Sequence, residues 1–345
     1  MPSEAFKEYA NKCEKRYNEW YDVRPLLGNW WAMFYVIVGA REAGKSFSIM
    51  NFFLNQWKTN GTPFYWIRLT DVSVKKMLVG KHCEKFVDAD LARKYDLDLT
   101  KKGDTVYDHG QKMATVLALS EMAKQKGVAY YDNEYEGYYN IMIDEFQREP
   151  GEKNTFDIPY NMAGTLENIV RSRKEKVRIF LVANLLEECS DVLANSFNFI
   201  PEKFGIYKLK SKRCVIEYIE PTAQYLKRRK GAVANILQGS ASNYTNAQEI
   251  DRTLIYKGKI YKPKAVIKFR KDKESWFSIW DDNIIVPYKG EKKPIIAMRP
   301  YIDEVYQPEV VADMFALYDA RKFVFRNLIT QKKFERELSL IRSRK

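Results

Sequence analysis

The 345-residue sequence is poor in the residues that build metal sites and structural cross-links. It has only two histidines, and its four cysteines are scattered without any Cys-x-x-Cys spacing. Structural zinc sites need closely spaced cysteine and histidine ligands. We therefore expect no structural zinc.

Long apolar segments are also missing, although 46% of the side chains are apolar. The longest such run, Trp30 to Val38, is far shorter than the roughly 20 residues that cross a bilayer. The first five residues lack the basic-then-apolar layout of a secretion signal. We therefore expect a cytoplasmic protein without a membrane partner, and the length favours two modules.

Positive charge is concentrated in the second half of the chain. The net charge is +13, yet residues 1–205 hold 28 Lys and Arg against 29 Asp and Glu, whereas residues 206–345 hold 30 against 16. Clustered lysine and arginine bind phosphate backbones by releasing counterions. The pattern indicates a neutral domain joined to one that binds a polyanion, although a merely soluble basic surface would have the same composition.

The pattern of apolar residues predicts a doubly wound α/β domain over residues 1–205. Continuous apolar runs typical of buried parallel strands alternate with segments of helical spacing. The predicted strands are Phe34–Val38, Phe64–Arg68, Asn140–Ile143 and Val177–Ala183, and the predicted helices are Phe47–Trp57 and Met162–Arg173. Residues 70–138 read as an elaborated insertion with a helix near Leu117–Lys126.

The rest of the chain predicts a basic linker region over residues 206–255 and a smaller α+β domain over residues 256–345. The linker holds the basic run Lys227–Lys230 and a Gly- and Ser-rich stretch. The second domain is expected to hold a hairpin, three antiparallel strands and a helical tail. Their predicted ranges are Leu254–Tyr261 for the hairpin, Ala265–Phe269, Trp276–Trp280 and Ile284–Val286 for the strands, and Val310–Lys345 for the tail.

One motif carries the strongest chemical signal. The sequence Gly39-Ala40-Arg41-Glu42-Ala43-Gly44-Lys45-Ser46 has the form G-x-x-x-x-G-K-S and lies between a predicted strand and a predicted helix. In that setting the backbone N–H groups form a nest for phosphates, Lys45 reaches the β- and γ-phosphates, and Ser46 ligates Mg²⁺. The motif predicts an ATP site with Mg²⁺ as its cofactor.

A second motif decides between binding and hydrolysis. Asp144 and Glu145 follow the apolar strand Asn140–Ile143. Asp144 is placed to hold the Mg²⁺ shell, and Glu145 to orient and deprotonate the attacking water. An adjacent acidic pair of this kind is typical of P-loop ATPases that supply their own base, the ASCE type.

Several further residues have both a catalytic and an ordinary interpretation. Arg171 and Arg173 would supply positive charge to the γ-phosphate of a neighbouring subunit, or simply complement the C-terminal dipole of their helix. Asn184 would sense the γ-phosphate or the attacking water, or would be an ordinary turn residue at the end of its strand. Arg68 and Arg148 are candidates for contacts with phosphate or another subunit.

These stretches together resemble the DNA-encapsidation ATPases of phi29-like bacteriophages. The resemblance rests on Val38–Ser46, on Asp144-Glu145-Phe146 with Arg148-Glu149, and on Val170–Arg173 with Val177-Arg178. It implies a ring of identical subunits, pentameric in that family, that docks on the portal of an empty procapsid in the host cytoplasm and pumps double-stranded DNA inward. Such a motor would be absent from the mature virion.

The resemblance also bears on individual residues and on the second domain. It implies that Arg171 acts in trans, with Arg173 as the fallback, and some relatives use a structural RNA as a scaffold. The family's C-terminal domain is similar to the RNase H-like nuclease of large terminases, which holds metal with clustered acids. Here Lys268 stands on a strand where an acid would be needed, so a vestigial nuclease fold is expected.

Two other functions remain open from the sequence. One is a packaging protein with an active, metal-dependent nuclease. The other is a scaffold that binds ATP to assemble a complex without turning it over. ATP hydrolysis that rises on adding DNA would exclude the scaffold. Cleavage of plasmid DNA in the presence of Mn²⁺ would reveal the nuclease.

Overall fold

The computed structural model describes residues 20–121, 137–147, 156–171, 176–184, 190–230, 252–281, 283–302 and 306–342. The chain divides into two compact units. Unit 1 comprises Met1–Glu187 and Pro201–Gln248, and unit 2 comprises Glu188–Ile200 and Glu249–Lys345. None of the helices within the described ranges has the length and apolarity that would carry it across a membrane.

Unit 1 is built on one large sheet with the strand order β3-β4-β5-β2-β6-β7-β1-β9-β8. Neighbouring strands from β5 to β9 in this order run parallel, whereas β3, β4 and β8 pair antiparallel at the two edges. The predicted α/β class with a parallel sheet is confirmed. The strands are β1 (Phe34–Gly39), β2 (Phe64–Arg68), β3 (Leu99–Lys102), β4 (Thr105–Asp108), β5 (Gln111–Ala118), β6 (Tyr139–Asp144), β7 (Val177–Asn184), β8 (Gly205–Leu209) and β9 (Cys214–Tyr218).

The helices of unit 1 pack against this sheet, and the second of them holds the phosphate loop in place. They are α1 (Arg24–Leu27), α2 (Lys45–Asn60), α3 (Asp71–Met77), α4 (Ala89–Lys94), α5 (Ile158–Val170) and α6 (Ala223–Lys230). Phe53 of α2 lies fully buried, with its ring 5.2 Å from that of Phe64 and 5.3 Å from that of Phe180. These contacts fix α2 on strands β2 and β7.

The segment between β2 and β6 differs from its prediction. It supplies β5, a strand of the parallel core that pairs with β2, as well as β3 and β4. The helix predicted near Leu117–Lys126 is wrong at its start, since Leu117 and Ala118 end β5 and a single 3-10 turn follows at Leu119–Glu121. A short, fully buried apolar run has no period that separates a strand from a helix.

The sheet of unit 1 also continues past residue 205, where the sequence analysis ended the first domain. Strands β8 and β9 and helix α6 occupy the first half of the predicted linker over residues 206–255. All five residues of β9 are buried, whereas β8 is an edge strand whose Lys208 faces solvent. Charged side chains are common on edge strands, so the Lys- and Arg-rich composition after residue 205 does not mark a domain boundary.

This correction changes where the positive charge lies. Residues 249–345 hold 22 Lys and Arg against 14 Asp and Glu, whereas residues 206–248, which belong to unit 1, hold 8 against 2. The basic excess of the second half is therefore divided between the units. Half of those eight basic residues, Lys227–Lys230, form the C-terminal half of α6.

Unit 2 has its own smaller sheet, with the strand order β13-β10-β11-β12-β14. Strands β10, β11 and β12 form an antiparallel meander, and β13 and β14 join its two edges in parallel. The three predicted antiparallel strands are confirmed. The elements are β10 (Pro263–Lys268), β11 (Trp276–Trp280), β12 (Ile284–Pro287), β13 (Ile295–Ala297), β14 (Val324–Phe325), α7 (Pro308–Asp319) and α8 (Leu328–Arg342).

Two expectations for unit 2 are wrong in detail. The predicted hairpin at Leu254–Tyr261 is absent, because this segment makes only an isolated parallel bridge from Ile255 to Phe325. The predicted helical tail is interrupted by β14 and divides into α7 and α8. A lone glycine between polar residues signals a turn without specifying strands on either side. The RNase H-like relationship stays a prediction.

We expect that Phe334→Ala lowers the free energy of unfolding of unit 2 by about 3–5 kcal/mol, the usual cost of emptying a core position of this size. The Phe334 ring is fully buried and lies 5.2–5.7 Å from four other phenylalanine rings, those of Phe269, Phe277, Phe323 and Phe325. Chemical denaturation, read by hydrogen exchange of β10–β12 amides, measures the change.

The matched control is Tyr261→Ala, because that side chain is 76% exposed and its loss should cost no more than about 0.5 kcal/mol. Equal losses from the two variants would contradict the assignment of Phe334 to the centre of the core.

Candidate nucleotide-binding site

The loop Gly39–Ser46 connects the carboxyl end of β1 to the start of α2. Gly44 caps α2 with φ +86° and ψ +13°, a left-handed conformation that favours glycine. At Gly39, a Cβ atom would lie 2.8 Å from Cβ of Ile219, closer than side chains approach. Gly44 is therefore required by its backbone conformation, and Gly39 by the close approach of the Ile219 side chain.

This geometry makes the loop an anion site. The first N–H groups of a helix have no partner within the helix, and the helix dipole places partial positive charge there. No side chain of Gly44 can cap them, and α2 is 16 residues long. A phosphate would satisfy these N–H groups.

Lys45 is buried inside the loop, where its ammonium donates to three oxygens. Its Nζ lies 3.0 Å from the Gly39 carbonyl oxygen, 2.6 Å from that of Ala40 and 3.1 Å from Oδ1 of Asn184. Burial lowers the pKa of Lys45 to about 8, while Asp144 and Glu145 oppose the shift. Phosphate oxygens are charged and accept stronger hydrogen bonds than carbonyls, so a nucleotide would draw the ammonium toward itself.

Ser46 and Asp144 supply neighbouring oxygen atoms of the kind that bind Mg²⁺. The Ser46 hydroxyl donates to Oδ1 of Asp144 at 2.8 Å. Asp144 ends β6 and is 5% exposed. Mg²⁺ prefers hard oxygen ligands and is usually bound by one or two protein groups together with substrate phosphates. The pair therefore fits the ion that the sequence predicted.

Arg68 bridges both acidic residues that follow the third predicted strand. Its Nη1 lies 2.6 Å from Oδ2 of Asp144, and its Nη2 lies 2.5 Å from Oε2 of Glu145. Strands β2 and β6 pair in parallel with Ile67 opposite Ile143, so the next residues on each strand, Arg68 and Asp144, meet at the sheet edge. The side chain of Arg68 is only 22% exposed.

Glu145 stands just beyond the sheet with a strained backbone. Its φ is +60°, a conformation uncommon for residues other than glycine and often found at functional sites. Its side chain is 39% exposed and borders a cavity of about 490 Å³. The cavity is lined by, among others, Arg41, Arg68, Lys76, Glu145, Gln147 and Asn184. The carboxylate thus faces a space that can admit water.

The structure brings together most of the residues predicted for the site. Lys45, Ser46, Asp144, Glu145 and Asn184 lie at the carboxyl ends of β1, β6 and β7. The register sets Gly39 opposite Asn184, which explains why the amide reaches Lys45.

Arg171 does not join this cluster within one chain. It is exposed and ends α5 with φ +42°, donating its N–H to the Glu167 carbonyl oxygen. Because α5 leads from the carboxyl end of β6 to the start of β7, Arg171 lies toward the amino-terminal ends of the parallel strands. Arg173 and Arg148 fall outside the described residues.

Two residues of the site were not assigned to it from the sequence. Arg68 was noted only as a candidate for phosphate or subunit contacts, although it ends an apolar strand as Asp144 does. Gln147 is 6% exposed, and its Oε1 has no hydrogen-bond partner in the part of the chain that the structure describes. Only the pairing of β2 with β6, which the sequence does not reveal, brings Arg68 to the acids.

Two acidic residues of unit 2, Asp272 and Asp281, accept hydrogen bonds from backbone N–H groups nearby. Asp272 accepts the N–H of Ser275 at 3.2 Å, and Asp281 accepts those of Tyr261 and Lys262 at 2.9 and 3.1 Å. Among the described residues, no three His, Cys, Asp or Glu side chains are grouped to hold a metal. Asp282 lies outside the described residues.

The fold and this constellation are those of the P-loop class of nucleotide-binding proteins, with an acidic pair at the end of β6, a core strand that β7 separates from β1. Residues 17–343 match the model of the family described as Podovirus DNA encapsidation protein (Gp16), and the chain belongs to that family.

Similar proteins come from Bacillus phages. The DNA packaging proteins of phages phi29 and PZA are each 23% identical over 208 residues, which is 59% of this chain and 58% of theirs. The match thus spans little more than half the length of these relatives.

Two solved structures share the fold. The Phi-28 gp11 DNA packaging motor has a TM-score of 0.67 at 16% identity, covering 92% of this chain and 97% of its own. The bacteriophage Phi-29 genome packaging motor assembly has a TM-score of 0.59 at 17% identity, covering 94% and 99%.

We expect Arg68→Gln to destabilise unit 1 by about 1–3 kcal/mol, because the largely buried Asp144 carboxylate loses its countercharge. Added Mg²⁺ without nucleotide should then raise the melting temperature more in the variant than in the unchanged protein, since the cation replaces the guanidinium. Thermal unfolding with and without Mg²⁺ measures both effects.

Arg93→Gln is the matched control, because it breaks an ion pair with Asp90 in which both side chains are at least 75% exposed. Such pairs contribute little to stability. If Arg68→Gln is as stable as this control and does not respond to Mg²⁺, Asp144 does not depend on Arg68.

Proposed function

We propose that this chain is an ATP-hydrolysing motor that moves double-stranded viral DNA into a preformed procapsid through its portal. The observation that carries the proposal is the grouping of Lys45, Ser46, Asp144 and Glu145 at one sheet edge. The chain belongs to the DNA encapsidation family, and the curated relatives are DNA packaging proteins.

The residues around the loop have distinct parts in hydrolysis. The N–H groups of Gly39–Ser46 and the ammonium of Lys45 hold the phosphates of ATP. Ser46 and Asp144 would hold Mg²⁺, and the bound ion would supply positive charge to the phosphates. Asn184, already in contact with Lys45, lies where it can orient the γ-phosphate or the attacking water.

Glu145 is the general base, and Arg68 holds it in the resting arrangement. The Glu145 carboxylate must accept a proton from water, yet it is engaged by the Arg68 guanidinium. Activation of water would be favoured if Glu145 turns from Arg68 into the neighbouring cavity.

The remaining charge on the γ-phosphate is met by a second subunit. Arg171 is exposed and remote from the site of its own chain, which suits action in trans. This requires a ring of identical chains, five in number as the family resemblance suggests, with Arg173 as the alternative. Unit 2, with its basic excess, contacts DNA and the portal. The scaffold RNA stays a prediction.

The experiment that tests the whole proposal is protection of DNA from nuclease by matching procapsids, with this protein and ATP. Protection that depends on ATP supports a packaging motor. ATP binding without steady-state phosphate release, and with no protection, would indicate an ATP-binding scaffold. Plasmid cleavage with Mn²⁺ would indicate a nuclease.

Glu145→Gln should bind ATP as tightly as the unchanged protein but hydrolyse it about 10²- to 10⁴-fold more slowly, because the phosphate and metal contacts survive while the base is lost. Nucleotide titration and steady-state phosphate release measure the two effects separately. Hydrolysis within about threefold of the unchanged rate would contradict the role given to Glu145.

Mixing experiments test Arg171. Rings of Arg171→Ala subunits and rings of Lys45→Ala subunits should both be inactive, but mixed rings should regain ATPase activity, because some interfaces pair an intact loop with an intact arginine. A mixture of Glu145→Gln and Lys45→Ala subunits is the control, since both changes damage the same half of the site. Equal activity in the two mixtures would exclude action in trans.

A further inference from the structure

The phosphate loop contains an acidic residue, Glu42, at a position where negative charge works against binding. The loop collects N–H groups and Lys45 to attract phosphates, and a carboxylate beside them repels the same phosphates. Its side chain is 57% exposed, so burial does not hold it there. The backbone of Glu42 also has φ +60°.

Side chains of helix α6 donate hydrogen bonds to backbone carbonyl oxygens in the same part of the loop. The Tyr225 hydroxyl donates to the Arg41 carbonyl oxygen at 2.6 Å, and Nη2 of Arg228 donates to the Glu42 carbonyl oxygen at 2.9 Å. Tyr225 is 2% exposed and packs with Ala40 and Ala43. The outer side of the loop is therefore covered by α6.

The third contact neutralises the charge. Arg229 of α6 donates from Nη1 to Oε2 of Glu42 and forms an ion pair with it. The Arg229 side chain is only 8% exposed, so its guanidinium is held near the loop and does not extend into solvent. Arg229 thus supplies the positive charge that the Glu42 carboxylate would otherwise take from the phosphate site.

We propose that Arg229 is a positioning residue that makes the phosphate loop ready for nucleotide by neutralising Glu42 while α6 is docked. This rests on the proposed use of the loop as a nucleotide site. If α6 leaves, the charge of Glu42 is no longer neutralised and the loop binds phosphates more weakly. By linkage, bound nucleotide must then stabilise the docked α6 to the same extent.

The proposal assigns a function to the basic run Lys227–Lys230, which looked like a polyanion-binding linker in the sequence. At least Arg228 and Arg229 face the protein's own loop. Lys227, in contrast, is exposed on the same helix. The helix is the last described element of unit 1 before the chain enters unit 2 at Glu249.

A double-mutant cycle on nucleotide affinity tests the proposal, with Arg229→Gln, Glu42→Gln and both changes together. Arg229→Gln should weaken ATP binding by about tenfold, the effect of one uncompensated charge at a partly solvated site. Glu42→Gln should bind ATP at least as tightly as the unchanged protein. The double variant should return to within about threefold of it.

Three comparisons make the cycle specific. Lys227→Gln removes the same charge from the exposed face of α6 and should leave affinity unchanged. The loss in Arg229→Gln should shrink at high salt, because it is electrostatic repulsion. Amide exchange in α6 should slow when ATP binds to the unchanged protein, and this slowing should be smaller in Arg229→Gln.

Other outcomes overturn the proposal. If the double variant binds ATP as weakly as Arg229→Gln, the arginine acts directly on phosphate or on folding, and parallel melting temperatures separate these two. Failure of all variants and of the unchanged protein to bind ATP removes both this proposal and the motor. A normal cycle without DNA protection removes only the motor.

Discussion

The alignment of parallel strands is the constraint on which the whole site depends. Backbone pairing sets Gly39 opposite Asn184 and Ile67 opposite Ile143. The carboxyl ends of β1, β7, β2 and β6 therefore lie on the same side of the sheet. Since each strand of a parallel sheet is buried on both faces, a shift in register would break both the core and the site. The apolar packing of Phe53 and its neighbours therefore also fixes the distances between the groups of the candidate site.

Those strand ends concentrate charges that would repel one another without partners. Asp144 and Glu145 are held by Arg68, and Lys45 is held by carbonyl oxygens and Asn184. The phosphates of ATP would compete with these carbonyl and amide oxygens for Lys45, and Mg²⁺ would compete with Arg68 for Asp144. Substrate binding is thus an exchange of partners, which favours a site that changes its contacts during turnover.

The sequence predicted the central part of this arrangement because its signals are local. The loop motif, the apolar strand before Asp144 and the helical spacing after Ser46 are each contained in a short segment, and β1, β2, β6 and β7 were found within a residue or so of their ends. Arg68 illustrates the limit. Its partner lies 76 residues away, and a single sequence carries no record of which strands are neighbours.

Composition was a weaker guide than motif. The basic residues after position 205 suggested a linker, yet β8 and β9 complete the sheet of unit 1 and α6 covers its phosphate loop. A lysine on an edge strand, an arginine that pairs with a loop carboxylate and an arginine that binds DNA look alike in a charge count. Burial distinguishes them: Arg229 is 7% exposed and Lys227 is exposed.

The Glu42–Arg229 pair also affects how the proposed motor could respond to nucleotide. A helix that touches the phosphate loop only through carbonyl oxygens would respond little to a nucleotide, because backbone acceptors keep their charge. The Glu42–Arg229 pair adds a contact whose free energy depends on nearby negative charge, and phosphate is the largest such charge the loop can receive. Helix α6 is also the last described element of unit 1 before the chain enters unit 2 at Glu249, so a nucleotide that changes the docking of α6 would act on an element close in sequence to that crossing.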